Sequence, residues 1–184
     1  KENDRLNILF LGYVGDRKGT YDLIRAIKKI VVSNKKINLY LRIAGNGELE
    51  KCQKLIDDIN LTDYIDILGW VDKNEKQRLL LESDVLVLPS HFESFGIVVL
   101  EAMSFKVPVI CGNEGFTKEL ISDGKDGFIA ETGNILDIAN KIQKIENYLC
   151  VMGENGYSKV KKYYSRERIE KKLRNIYIEV IKNG

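Results

Sequence analysis

A doubly wound parallel sheet of about six strands, covered by helices on both faces, is the fold this sequence predicts. Three observations carry that expectation. Short apolar runs such as 6–11 and 85–88 are nearly continuous rather than alternating, as strands buried on both faces are. Segments with apolar residues three and four apart separate the runs; in 20–32, Leu23, Ile24, Ile27, Ile30 and Val31 share one helical face. Gly12, Gly45, Gly69 or the pair Pro89-Ser90 stops a run where a strand would pass into a loop.

Taken in order, strands are expected at 6–11, 39–44, 64–68, 85–88, 107–110 and 128–130. Pro108 falls near the start of the fifth run, where a missing N–H is tolerated. Helices are expected at 20–32, 48–59, 74–81 and 96–103 between strands, then at 135–149, 153–163 and 166–181. Strands and helices that alternate in this way, joined by right-handed crossovers, make a Rossmann-like α/β sheet. Neither an internal repeat nor a linker interrupts the pattern, so a single domain over 1–184 is expected.

Composition narrows the function. The 184 residues include 29 Lys+Arg and 27 Asp+Glu, a net charge of +2, with 44% hydrophobic and 30% charged residues. This is an ordinary globular balance, and bulk charge does not support nucleic-acid binding. No apolar run approaches the roughly 18 residues of a membrane helix. Cys52, Cys111 and Cys150 are far apart and form no C-x-x-C, which speaks for reduced thiols, a cytoplasmic setting and no zinc site. The chain begins at Lys1 without signal-peptide character, as expected of a piece of a longer protein. Residues 155–184 hold 9 Lys+Arg and 3 Glu, a net of +6. Ile169, Leu173, Ile176, Tyr177 and Val180 form an apolar stripe there, which suits a solvated helix on the sheet, a partner domain or an anionic membrane surface.

In open α/β sheets ligands bind beyond the carboxyl ends of the strands. After the first strand, Gly12 to Gly19 opens a helix with Gly15, Arg17 and Lys18, residues suited to phosphate but also to a plain turn with solvated cations. After the second, Gly45-Asn46-Gly47 resembles the start of a dinucleotide fingerprint, but Glu50 stands where the third glycine belongs. After the fourth, Glu93 lies in a loop ahead of Ser94, Phe95, Gly96 and Ile97, and Glu101 follows eight positions later on the next helix. An acid in such a loop can accept hydrogen bonds from sugar hydroxyls, while Glu101 reads as readily as a helix acid with a salt-bridge partner. The amides of Phe95 and Gly96 suit a phosphate, and Ser94 is expected to cap the helix. His91, the one histidine, has no nucleophile or acid assignable to it and reads as a residue of the site rim. No two aspartates stand two apart, so no metal clasp for a diphosphate is visible.

These segments together resemble the C-terminal, donor-binding domain of the group 1 retaining glycosyltransferases of GT-B fold. The likeness spans about 8–145 and rests on pieces in the family's order. They are Gly12 to Gly19, Ile43-Ala44-Gly45-Asn46-Gly47, Leu68-Gly69-Trp70-Val71, Asp84 to Ser90, Glu93 to Met103, Val107-Pro108-Val109-Ile110 and Asp126-Gly127-Phe128. The resemblance implies that Lys18 binds the donor diphosphate and Glu93 faces the donor sugar, the two catalytic assignments. It implies that Phe95 and Gly96 present amides to the distal phosphate and that Glu101 holds the ribose hydroxyls. It also implies that Ser94 and Ile97 belong to the substrate-binding segment, Gly15 to the phosphate loop, and Val71 and Lys76 to the base end. Tyr13 stands where the family often has an arginine, and Arg17 is expected to supply the second cation.

A nucleoside-diphosphate sugar donor, no metal and no other cofactor follow from the resemblance, because fixed cations and helix-end amides can stabilise the leaving diphosphate. The acceptor would be a saccharide or a lipid-linked saccharide, in surface polysaccharide or glycoconjugate synthesis. An N-terminal acceptor domain is missing from these residues, so the chain alone is expected to bind donor without transferring sugar. The basic helices of 153–182 would pack toward that domain, and peripheral association with the inner face of the membrane is a further expectation. A non-catalytic nucleotide-sugar module and the dinucleotide domain of an oxidoreductase are the competing assignments.

Overall fold

The computed structural model describes residues 5–33 and 38–183. Six parallel strands form one sheet: β1 (Leu6–Leu11), β2 (Leu39–Ala44), β3 (Ile65–Gly69), β4 (Val85–Leu88), β5 (Val109–Gly112) and β6 (Gly127–Ala130). Their order is β3-β2-β1-β4-β5-β6. The chain winds one way from β1 to β3 and the other way from β4 to β6. The loops after β1 and β4 therefore part at the sheet's centre and leave a crevice between them.

Helices α1 (Thr20–Ser33), α2 (Leu49–Asp58), α3 (Lys73–Glu82), α4 (Ile97–Ser104), α5 (Thr117–Leu120), α6 (Ile135–Ile145), α7 (Leu149–Tyr163) and α8 (Arg166–Asn183) complete the fold. Right-handed crossovers place α1 and α2 on one face and α3 and α4 on the other. After β6, α6 packs against α1 and α7 against α4, closing both faces. All four residues of β4 are buried, as are Ile8, Leu9, Phe10 and Leu11 of β1, so the centre of the sheet is dry on both sides. Burying each such side chain is worth about 1.5–3 kcal/mol. That core holds the loop ends at the crevice in fixed places.

Several boundaries differ from the sequence expectation for local reasons. β5 pairs from Val109 rather than 107, because Pro108 has no N–H and contributes only its carbonyl, which accepts from Leu86 at 3.0 Å. Gly96 precedes α4 with φ 76° and no side chain caps the helix, so the expected Ser94 cap is not made. The segment 135–149 breaks at a 3-10 turn, Glu146–Tyr148, and α7 begins at Leu149 and absorbs 153–163. α5, of four residues, was not anticipated, being too short for a periodic signal.

The glycines after β2 answer a packing demand. A Cβ on Gly45 (φ 146°) would lie 1.7 Å from the Gly12 carbonyl oxygen, and one on Gly47 would lie 2.2 Å from that of Val14. Backbone bonds join these two loops: Gly12 N–H to Ala44, Val14 N–H to Asn46 and Glu48 N–H to Val14, at 2.7–3.0 Å. The space that a dinucleotide fingerprint leaves for pyrophosphate is filled here by the protein's own chain. Gly45→Ala is therefore expected to cost about 3 kcal/mol. In a thermal melt this would read as a fall of about 10 °C in Tm.

Candidate functional site

The crevice at the centre of the sheet is lined by strand ends, loops and helix starts, among them most of the residues that the sequence singles out. Two cavities share Leu11, Gly12, Ile97 and Val98 and so form one cleft. The larger, about 460 Å³, is lined also by Tyr13, Ala44, Gly45, Asn46, Trp70, Val71, Lys76 and Glu101. The smaller, about 270 Å³, is lined also by Lys18, Leu88, Glu93, Ser94, Phe95 and Gly96.

At the smaller end, the loop after β1 and the loop after β4 meet in an ion pair. Lys18 Nζ lies 2.5 Å from Glu93 Oε2, with both side chains largely buried. Lys18 is held by a tight 3-10 turn, Asp16–Lys18, that ends in Gly19 with φ 68°. A Cβ on Gly19 would lie 2.1 Å from the Pro89 carbonyl oxygen, so glycine is what lets the two loops approach. The Glu93 loop is fixed from behind: Phe116 N–H donates to the Glu93 carbonyl at 2.9 Å, and the Phe95 and Phe116 rings stack at 5.3 Å. Phe95 and Gly96 stand at the N-terminus of α4, where amides and the helix dipole favour an anion.

At the larger end a second ion pair spans α3 and α4. Lys76 Nζ lies 2.6 Å from Glu101 Oε1, each side chain about one-third exposed. Asp72 caps α3 by accepting from the Glu75 N–H at 2.8 Å, which starts the helix so that Lys76 falls within reach of Glu101. Trp70, Tyr13 and Ile97 remain exposed around this end. The cleft thus offers a buried cation and acid at one end, and a carboxylate with a lysine beside open aromatic surface at the other.

Lys18, Glu93, Ser94, Phe95, Gly96, Ile97, Val71, Lys76 and Glu101 all line the cleft. Gly15 and Arg17 do not. Gly15 is buried and its N–H donates to the Thr20 hydroxyl at 3.1 Å. The Arg17 side chain is exposed and lines neither cavity, so the cation expected to replace the arginine absent at Tyr13 is not brought to the site. Tyr13 itself lines the larger end.

Sequence inspection missed the supports behind these residues. Tyr21 donates from its hydroxyl to Glu48 Oε2 at 2.5 Å and so ties α1 to the loop after β2. Burial first, and this bond second, push the Tyr21 phenol well above its ordinary range, while the same bond and then Lys51 lower the Glu48 carboxyl. Asp22, the next residue, lies 2.6 Å from His91 Nε2. No spacing rule could have paired residues 27 and 69 positions apart.

Cys52 and Cys111 are buried and Cys150 is exposed, all as free thiols; burial raises the Cys111 thiol far above its usual value. Among the described residues no group of three or more His, Cys, Asp and Glu could hold a metal ion, and no helix is long and apolar enough to cross a membrane.

The family model for glycosyl transferases group 1 matches residues 1–159. The chain belongs to that family of glycosyltransferases. It is 31% identical over 185 residues to the capsular polysaccharide biosynthesis glycosyltransferase CapM of Staphylococcus aureus, covering 99% of this chain and 48% of that protein. It is 32% identical over 174 residues to the N-acetyl-alpha-D-glucosaminyl L-malate synthase of Bacillus anthracis, covering 91% of this chain and 44% of the relative. The chain spans about half the length of the curated relatives it matches. Among solved structures, Anabaena Alr3699/HepE in complex with UDP and glucose superposes with a TM-score of 0.85 at 18% identity, over 96% of this chain and 49% of that one. The C-terminal domain of the group 1 glycosyl transferase LpcC from Francisella tularensis superposes with a TM-score of 0.78 at 24% identity, over 88% and 87%. The α/β sheet is thus the Rossmann-like fold of GT-B glycosyltransferases.

Proposed function

We propose that this chain is the donor-binding half of a retaining glycosyltransferase. It takes a sugar from a nucleoside-diphosphate sugar for transfer to a saccharide or lipid-linked acceptor, in surface polysaccharide or glycoconjugate synthesis. The observation that carries this reading is the continuous cleft with Lys18 and Glu93 at one end and Glu101 at the other. The names of the relatives and the UDP held by a neighbour of the same fold support it.

Each residue then has a task set by its chemistry. Lys18 and the amides of Phe95 and Gly96 meet the diphosphate and stabilise its charge as the bond to the sugar breaks. Glu93, at the same end, accepts hydrogen bonds from the sugar hydroxyls. Glu101 accepts hydrogen bonds from the ribose hydroxyls, with Lys76 holding its carboxylate in place. Val71, with the open ring of Trp70, flanks the base. The bond from the anomeric carbon to the diphosphate oxygen breaks, and a bond to the acceptor oxygen forms on the same face. The acceptor proton passes to the departing phosphate oxygen, and the nucleoside diphosphate leaves. No covalent glycosyl-enzyme is required by the residues present.

The acceptor and its binding groups belong to an N-terminal domain of the longer protein. The uncovered stripe of Ile169, Leu173, Ile176, Tyr177 and Val180 on α8 is the surface that turns toward that domain. The cations beside it, Lys162, Arg168, Lys171 and Lys172, line a groove of about 530 Å³ and suit peripheral contact with anionic lipid at the inner face of the membrane. The test is a transfer assay with labelled donor. The full-length protein is expected to form product with the donor's anomeric configuration, read by NMR, and this chain alone to form none. Inverted product, or turnover by this chain alone, would overturn the respective part.

A further inference from the structure

His91 lies outside the cleft, yet it joins the two loops that make the cleft's phosphate end. Its backbone N–H donates to the Arg17 carbonyl at 3.0 Å, one residue before Lys18. Its Nε2 lies 2.6 Å from Asp22 Oδ2, in the first turn of α1. The Asp22 side chain is only 12% exposed, and its other oxygen is 3.8 Å from Arg25. Lys18 and Glu93 stand one residue and two residues from Arg17 and His91 and make the third tie between the loop after β4 and the segment that runs from the loop after β1 into α1.

The third tie differs from the first two. A diphosphate that takes the Lys18 ammonium must draw it away from Glu93, so the Lys18–Glu93 bond is the one that binding spends. Were it the sole link, the loops could part at the moment the anion arrives, and ordering them again would oppose binding. The links through His91 do not involve the cleft and survive the exchange. We propose that His91 and Asp22 are positioning residues of the donor site: their pair keeps the loops after β1 and β4 in register while Lys18 changes partner from Glu93 to the donor diphosphate. The inference rests on the donor-site reading given above. His91 touches neither substrate nor reacting atoms.

The pair therefore acts chiefly on affinity, and its loss should show in the bound state beyond any effect on the free fold. The experiment is calorimetric titration of this chain with UDP, GDP, ADP and CDP, carried on with whichever binds most tightly. Titrations of His91→Ala, His91→Gln, Asp22→Ala and the double Ala variant follow, with melting temperatures measured in parallel. His91→Ala and Asp22→Ala are each expected to weaken binding about tenfold. The double variant should lose little more than either single one, because one link is removed in all three. His91→Gln, whose amide nitrogen can still reach Asp22, should recover most of the affinity. If the Ala variants fail to fold, Asp22→Asn and His91→Gln carry the comparison, with Asp22→Asn weakening binding and His91→Gln near the unsubstituted chain. A Kd within twofold of the unsubstituted chain in the variants, even with a lowered Tm, would assign the pair to stability alone and overturn the inference. Losses that multiply in the double variant would overturn it too. Failure of the unsubstituted chain to bind any of the four would instead overturn the donor-site reading, and this inference with it.

Discussion

Lys18→Ala is expected to weaken nucleoside-diphosphate binding by about 100-fold, the size of losing one charge-assisted contact to an anion in a partly buried site. Lys18 is the cation at the smaller end of the cleft; the other lysine of the cleft, Lys76, is engaged with Glu101 at the opposite end. Arg17 does not line the cleft and leaves the burden on Lys18. The substitution also strands Glu93, which is 8% exposed, without its counter-ion. Breaking a buried pair from one side costs about 3 kcal/mol, so the melting temperature should fall as well. The two effects separate in Lys18→Ala/Glu93→Gln, which removes both charges. Stability should return toward that of the unsubstituted chain, while affinity stays low. Calorimetry and thermal melts of the three variants check both statements.

Glu93→Gln alone is expected to move two quantities in opposite directions. The carboxylate that pairs with Lys18 at 2.5 Å also faces the space a diphosphate would fill. Gln keeps the shape and an acceptor oxygen but removes the negative charge, so the Lys18 ammonium is freer for the ligand. A tightening of about tenfold for the nucleoside diphosphate, about 1.4 kcal/mol, is the expected size. If Glu93 orders the sugar hydroxyls as proposed, transfer by the full-length protein should fall by about 100-fold. Equal losses in diphosphate affinity and in transfer would mean that Glu93 is a scaffold for the loop rather than the group that faces the sugar.

The parts of this account visible in the sequence are those with a local cause. β1, β2 and β4 stand where continuous apolar runs placed them, because a strand buried on both faces has one composition and few alternatives. Glu93 was legible as an acid in the loop at a strand's carboxyl end. Glu101 was legible only through the family signature it closes, since on residues alone it reads as a helix acid with a salt-bridge partner. What stayed hidden needs two distant segments at once. Glu50 in place of a third glycine spoke against a dinucleotide cradle at Gly45 and Gly47, but did not reveal what needs these glycines: the chain after β1, a contact made across more than 30 residues. Arg17 sits beside Lys18 in sequence, but a single 3-10 turn sends the two side chains to different surroundings. His91 seemed unpartnered because Asp22 is on another element altogether.

On the proposed reading, the cleft between the loops after β1 and β4 binds a nucleoside diphosphate through Lys18 at one end and Glu101 at the other. Titration of this chain and of Glu101→Ala with UDP, GDP, ADP and CDP, with NADH as the competitor class, tests it most directly. One nucleoside diphosphate is expected to bind the unsubstituted chain, and Glu101→Ala to weaken it at least tenfold, the worth of about one charge-assisted hydrogen bond to the ribose. Binding of NADH with no nucleoside diphosphate bound, or a Glu101→Ala variant that binds as tightly as the unsubstituted chain, would contradict it.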